Sequence, residues 1–266
     1  MALLLELVDV QKRYANGTLA LERTSAAIGE HEFVSFLGPS GCGKSTLLRI
    51  IADLSPPSGG EIRWHEPTNA RLGHAGPADR AQSQAEHDIS FVFQEPTLMP
   101  WASVFDNVWL PLRLKGISRR DAQPQVEQAL RTVGLADMAQ VYPRELSGGM
   151  KMRVSIARAM VTQPRMLLMD EPFAALDEMT RFKLNNDVLA LWQAHRFTAL
   201  FVTHSVFEAV YLSQRIIIMA ARPGRVVADI AIDEPYPRSD SFRTTARYNA
   251  LCVQVSSALY SAGASA

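Results

Sequence analysis

The chain has 266 residues, with 27 Lys and Arg against 27 Asp and Glu, and 47% apolar against 20% charged side chains. That balance excludes wholesale disorder and a strongly basic nucleic-acid binder, and leaves room for one large α/β domain with a sizeable core. The longest apolar run, Ile216 to Ala221, is six residues, against the ~20 that a membrane-spanning helix needs. The start, Met1-Ala2-Leu3-Leu4-Leu5-Glu6, lacks the basic region of a signal peptide, and two cysteines, Cys42 and Cys252, are too few for a disulfide scaffold. The expectation is a reduced, cytosolic protein.

In chain order, the first buried strand reads over Phe33–Leu37. A helix follows over Lys44–Leu54, with Leu47, Leu48 and Ile51 on one face, and stops at Pro56-Pro57. The stretch Trp64–Asp88 is rich in Ala, Gly, Gln, Pro and His and has no period, so it reads as a long surface loop. Its histidines, His65, His74 and His87, lack metal-ligand spacing. Further strands read over Ile89–Phe93, Met166–Met169, Ala199–Val202 and Ile216–Met219. Between them Met150, Val154, Ala157 and Val161 recur at helical spacing, as do Leu184, Val188 and Leu191. Strands this continuously apolar, separated by helices, suit a parallel sheet covered on both faces. Beyond about Val226 the pattern weakens: Pro235-Tyr236-Pro237 reads as a linker and Ser241–Tyr260 as a terminal helix.

Three motifs carry chemistry. Gly38-Pro39-Ser40-Gly41-Cys42-Gly43-Lys44-Ser45-Thr46 matches G-x-x-x-x-G-K-[ST] between a strand and a helix, the context that motif requires. Its glycines let backbone N–H groups turn inward, the helix N-terminus adds partial positive charge, Lys44 reaches the β- and γ-phosphates, and the Ser45 hydroxyl can ligate Mg²⁺. Cys42 reads as filler in a tolerant loop position. The strand Met166–Met169 ends in Asp170 and Glu171, one acid to hold Mg²⁺ and one to polarise an attacking water. These two motifs imply a nucleotide hydrolase or kinase. Leu146-Ser147-Gly148-Gly149-Met150 then presents a second hydroxyl and further N–H groups at another helix N-terminus, a second anion site in the same chain. Head-to-tail pairing of two copies is a natural use of such a pair.

With these motifs in this order, residues 3 to 225 resemble the ATP-binding subunits of ABC transporters. The resemblance implies that Tyr14 stacks on adenine, that Gln94 senses Mg²⁺ and the γ-phosphate, and that Ser147, Gly148 and Gly149 form the signature. It also implies that Asp177, in Ala175-Leu176-Asp177, contacts the dimer partner and that His204 is the switch histidine. Taken alone, Tyr14 reads as an edge aromatic and His204 as a capping residue. Ser205 replaces the aspartate common after the histidine, and a serine can cap the next helix equally well. The segments Met99-Pro100-Trp101, Asp106-Asn107-Val108, Tyr142 to Met150 and Val202 to Leu212 look most like the nitrate/sulfonate/taurine importer subgroup, where Met150 is usual.

The implied fold is α/β: a P-loop NTPase (RecA-like) core with an inserted helical subdomain and a small N-terminal antiparallel β element. The expected division is an ATPase domain over 1–225, with core 1–94 and 164–225 and helical subdomain 95–163, then a linker and tail helix over 226–266. The resemblance further implies ATP and Mg²⁺, a homodimer with two competent sites, two transmembrane permease subunits and an indirect link to a solute-binding protein. It implies no nucleic acid, and a peripheral location at the cytoplasmic face of the inner membrane. Met99, Trp101, Val104 and Phe105 would line the permease contact or form the core of the helical subdomain. A soluble ABC-type ATPase acting on nucleic acid or ribosomes usually has two cassettes in one chain or a long coiled coil. A P-loop kinase lacks the signature, glutamine and histidine.

Overall fold

The computed structural model describes residues 2–65 and 88–264, so the expected loop and its His74 and His87 lie, over 66–87, outside the described residues. The chain forms two compact units, Met1–Asp88 with Phe197–Ala266, and Ile89–Arg196.

The first unit opens with an antiparallel sheet in the order β2-β1-β4, built from β1 (Leu3–Arg13), β2 (Leu19–Gly29) and β4 (Gly59–Trp64). Leu5, Leu7 and Val10 are buried while Glu6, Val8 and Asp9 between them keep contact with solvent, as expected of a half-solvated antiparallel sheet. Register shifts interrupt the β1–β2 pairing between Leu7 and Val10, where Asp9 takes φ 48°. The same unit carries parallel strands. Strand β3 (Phe33–Leu37) pairs on one side with β7 (Thr198–Thr203) and on the other with β8 (Arg215–Ala220). Every residue of β3 and β7 is buried, and removing a side chain such as Phe33, Phe36 or Phe201 from water contributes about 1.5–3 kcal/mol.

Helix α1 (Lys44–Ile51) stops three residues short of Leu54. Asp53 adopts φ 56°, and the N–H groups of Asp53 and Leu54 close back on the carbonyls of Ile50 and Arg49, a left-handed helix terminus. The region after Val226 holds more order than its pattern suggests. Strand β9 (Arg225–Ala231) pairs antiparallel with β8 and is half-exposed along its length, which hides it from a search for continuous apolar runs. A 3₁₀ turn at Asp240–Thr244 leads into the last helix, Ala246–Ala264, whose Tyr248, Leu251, Cys252 and Val255 are buried.

In the second unit, β5 (Ile89–Val92) runs parallel to β6 (Met166–Asp170). Four helices accompany them: α2 (Val104–Leu114), α3 (Arg119–Thr132), α4 (Gly148–Met160) and α5 (Glu178–His195). Each is N-capped by a side chain, Ser103, Ser118, Ser147 and Asp177, that accepts a backbone N–H three residues on. Val104 and Phe105 are buried, whereas Trp101 is 77% exposed. The two alternatives for this stretch therefore divide within it, core for one pair and surface for the tryptophan. Asn107, fully buried, holds the Trp101 loop by accepting from Met99 N–H at 2.7 Å and donating to the carbonyls of Met99, Ala102 and Ser103. Among the described residues no helix is long and apolar enough to cross a membrane. The remaining helix, α6 (Val206–Leu212), belongs to the first unit, and Ala246–Ala264 is α7.

Candidate active site

In the first unit, Gly38 and His204 leave neighbouring parallel strands at one level, because Leu37 is in register with Thr203. Ligand-binding groups of α/β sheets gather at that carboxyl end. Gly43, at φ 89°, turns the chain into α1, and no side chain caps that helix. Its first N–H groups are thus presented by backbone alone. The Lys44 ammonium is 4% exposed and donates to the carbonyls of Gly38 at 2.7 Å and Pro39 at 3.1 Å, so it is held inside the loop it serves. Pro39, Ser40 and Gly41 are exposed, Ser45 and Thr46 half-buried. Cys42 points inward and is fully buried; burial pushes its thiol up, against the pull of Lys44.

Tyr14 is 40% exposed, and its hydroxyl shares a hydrogen bond with Thr46 Oγ1 at 3.1 Å. That bond ties the aromatic to the far end of the phosphate loop, and the Lys12 ammonium stands over its ring, 5.6 Å from the centroid. His204 is exposed, and the backbone around it is fixed on both sides. Thr203 Oγ1 bonds the buried Glu208 carboxylate and accepts Ser205 N–H at 3.0 Å, while Ser205 Oγ accepts Glu208 N–H at 3.3 Å. The serine in place of aspartate does cap its helix. A cavity of about 540 Å³ lies here, walled by Gly38 and Pro39, by His204 and Val206, and by Ser256, Leu259 and Tyr260 of α7.

The second unit brings a different set together. Val92 is in register with Met169, so Gln94 and Glu171 each follow two residues beyond matched positions of adjacent parallel strands. Asp170 ends β6 at 7% exposure. Glu171 sits at φ 46°, a left-handed backbone that costs a non-glycine residue about 1–2 kcal/mol, and such strain collects at functional positions. The Gln94 loop is held by Arg158, which donates to the carbonyls of Pro96 and Thr97, both at 2.9 Å.

Ser147 caps α4 and Asp177 caps α5, and these two helix starts touch. A side chain on Gly148 would meet Leu176 at 3.3 Å, and one on Gly149 would meet Thr180 at 2.5 Å. The hydrogen bonds to Thr180 hold the exposed Asp177 carboxyl below its usual range. Each unit therefore carries part of the expected constellation: Tyr14, the phosphate loop and His204 in the first, Gln94, Asp170, Glu171, the Ser147 loop and Asp177 in the second. Sequence reasoning missed the buffering residues Asn107, Arg153 and Arg158. Arg153 and Arg158 act on carbonyls and a carboxylate far along the chain, a relation that no local spacing announces, whereas Asn107 ties together its own loop.

A family model described as ABC transporter matches residues 21–174. The chain belongs to the ABC transporter family. It is an ATPase cassette of that family, with the P-loop core, inserted helices and N-terminal antiparallel sheet described above. It is 44% identical over 221 residues to a taurine import ATP-binding protein of Rhizobium johnstonii, covering 83% of this chain and 79% of that one. With an aliphatic sulfonates import ATP-binding protein of Pseudomonas fluorescens it shares 47% identity over 207 residues, covering 78% and 69%. Among solved structures, a dimeric bacterial ABC transporter cassette superposes with a TM-score of 0.72 at 33% identity, over 87% of this chain and 100% of that one. A dimeric ATP-binding cassette in a post-hydrolysis state, bound to ADP and Pi, gives 0.71 at 32% identity with the same coverage.

Proposed function

We propose that this cassette hydrolyses ATP as a homodimer to energise an importer for a small oxyanion or sulfonate solute such as taurine, an alkanesulfonate or nitrate. Two transmembrane permease subunits would receive the motion at the cytoplasmic face of the inner membrane, with a solute-binding protein linked through them. The observation that carries the reading is one chain holding both a phosphate loop and a second glycine-rich helix start, Ser147–Gly149, beside Asp177. The likeness to taurine and sulfonate import subunits and to dimeric cassettes supports the solute class and the pairing.

The roles follow from chemistry. Backbone N–H groups of Gly41, Cys42 and Gly43 and the Lys44 ammonium hold the β- and γ-phosphates, and Tyr14 offers a ring face to adenine. Ser147 and the N–H groups of Gly148 and Gly149 close on the nucleotide of the other copy. Ser45, Asp170 and Gln94 offer hydroxyl, carboxylate and amide oxygens, the hard donors that Mg²⁺ takes, so the residues present fit that ion. Held by such donors, Mg²⁺ would supply charge neutralisation to the phosphates. Glu171 takes a proton from the attacking water, and His204 holds the γ-phosphate end. Closure of the dimer passes to the permease through the Gln94 loop and the exposed Trp101.

Replacing Glu171 by Gln tests this. ATP binding is retained, turnover falls by about 10²-fold or more, and the dimer accumulates with ATP in size-exclusion chromatography. Wild-type phosphate release by that variant overturns the assignment.

A further inference from the structure

The chain beyond the nucleotide-site motifs does not trail away from the first unit; it grips the short helix that begins just after His204. Helix α6 has seven residues and starts two positions after His204. A helix that short has no stability of its own in water, where about 12–15 residues are marginal. Its C-terminal carbonyls need partners, and a single side chain takes those of Val210 and Tyr211 and of the C-cap Ser213. Arg238, 6% exposed, donates from Nη1 to the carbonyls of Val210 at 2.9 Å, Tyr211 at 3.0 Å and Ser213 at 2.9 Å, and from Nη2 to Glu234 O at 2.8 Å. Its guanidinium lies 4.2 Å from the Tyr236 ring centroid.

The rest of the segment closes on the same helix. Tyr236 donates its hydroxyl to Leu212 O at 2.7 Å, and Tyr211 donates back to Arg238 O at 3.0 Å. From α7, Tyr248 donates to Phe207 O at 2.9 Å, in the first turn. Five residues' backbone oxygens along a seven-residue helix and its C-cap are thus held from outside it. A buried cation is costly to desolvate, and here carbonyl dipoles at a helix C-terminus compensate it. Glu208 to Leu212 of this helix are buried, so its last carbonyls are satisfied by Arg238 and Tyr236 and not by solvent. Two turns further, Ser256, Leu259 and Tyr260 of α7 form the wall of the cavity that His204 and the phosphate loop floor.

We propose that Arg238 is a positioning residue for ATP hydrolysis: by clamping the C-terminal carbonyls of α6 it fixes where that helix begins, and so where His204 stands beside Gly38 and Pro39. The inference rests on the reading of His204 as the γ-phosphate switch. Arg238 touches no nucleotide in this scheme; it acts through α6.

The test uses the full-length chain, ATP as substrate and phosphate release as readout. Arg238→Met keeps the stem and removes the donors. It lowers kcat by about tenfold or more, the scale on which catalytic misplacement acts, with the KM for ATP within about twofold. Arg238→Lys, which keeps the charge and part of the bonding, recovers part of kcat. In a His204→Ala background, Arg238→Met produces no further loss. A folded Arg238→Met with wild-type kcat overturns the proposal, as does a loss that multiplies undiminished onto His204→Ala. Wild-type turnover by His204→Ala alone overturns the switch reading and this inference with it, which separates the two failures. Should Arg238→Met not fold, Tyr248→Phe, which removes the hydroxyl that donates to Phe207 O and also meets Cys252 and Arg243, takes its place: a kcat fall of about two- to fivefold at unchanged KM supports the clamp, and unchanged kcat overturns it.

Discussion

Gly149 and Thr180 approach so closely that a β-carbon on the glycine would sit 2.5 Å from Thr180 Cγ2, while Thr180 Cβ would be 3.9 Å away. The start of α4 is therefore seated on the start of α5 with no room for a methyl group. Gly149→Ala is expected to destabilise the protein by about 1–3 kcal/mol through overpacking. Thr180→Ser removes only the methyl that collides, so the pair Gly149→Ala/Thr180→Ser should regain most of the loss. Urea unfolding of the two single variants and the double variant measures the coupling; additive losses would show that the clash is relieved elsewhere.

A similar approach lies behind the phosphate loop. A β-carbon on Gly224 would meet Cys42 O at 2.3 Å and Ala20 O at 2.5 Å, both rigid backbone atoms. Gly224 also exchanges backbone bonds with this stretch, its N–H donating to Ala20 O at 3.1 Å and its carbonyl accepting Glu22 N–H at 2.8 Å. Alanine at 224 must displace the Cys42 carbonyl, and with it the N–H groups proposed to hold phosphate. ATP affinity in Gly224→Ala is expected to fall by about tenfold or more, from the ~1–3 kcal/mol that overpacking costs. Isothermal titration with ATP checks this, and wild-type affinity would mean that the loop yields freely.

Neither thiol is poised for reaction. Cys42 and Cys252 are both buried, and desolvation raises both; Cys252 is pushed up to about 11. The thiolate is the reactive form, and at pH 8 about one Cys252 in a thousand carries it. Ellman's reagent should therefore modify the native chain slowly and release two equivalents once guanidinium unfolds it, since the sequence holds two cysteines. A fast first equivalent in the native state would contradict the burial of Cys42.

What could be read in advance follows from how each element meets solvent. Strands β3, β6, β7 and β8 bury nearly every side chain, so each writes a nearly continuous apolar run, broken in β3 by Ser35. Strands β1 and β2 are only partly buried and carry register shifts, so neither writes a run that marks its bounds, and the N-terminal β element was expected from the family resemblance alone. Helices α2 and α3 carry Pro111 and Pro124 inside them, which masks their periodicity. A signal was nonetheless there. Ser103 with Asp106 and Ser118 with Asp121 have the Ser-x-x-acid spacing of helix starts, and each serine does cap its helix. The candidate site was legible where its residues are contiguous, because a phosphate loop or a strand-end acid pair is a local device. Arg153, Arg158 and Arg238 were not, because their partners are carbonyls and carboxylates brought near only by folding.

Arg153 shows what such a residue carries. It lies on α4, pairs with Asp187 on α5, and donates to Val133 O at 2.6 Å just past α3, with its side chain 14% exposed. Arg153→Leu strips a half-buried carboxylate of its counter-charge and leaves a carbonyl without its donor, which costs about 2–3 kcal/mol. Burial already pushes the Asp187 pKa up, against the opposing pull of Arg153 and Lys183. Without the arginine that pull weakens and the carboxyl rises further above its unfolded value of about 3.9. An acid whose folded pKa is raised holds its proton more tightly when folded, so its stabilising share is present at low pH and lost as pH rises through that pKa. The penalty of Arg153→Leu should therefore shrink as pH is lowered from 8 to 5, whereas Asp187→Asn should cost less than about 1 kcal/mol with little pH dependence. Urea midpoints of both variants across that range decide it: a penalty for Arg153→Leu that grows toward pH 5 would mean that the Asp187 carboxyl is held ionised by some other partner.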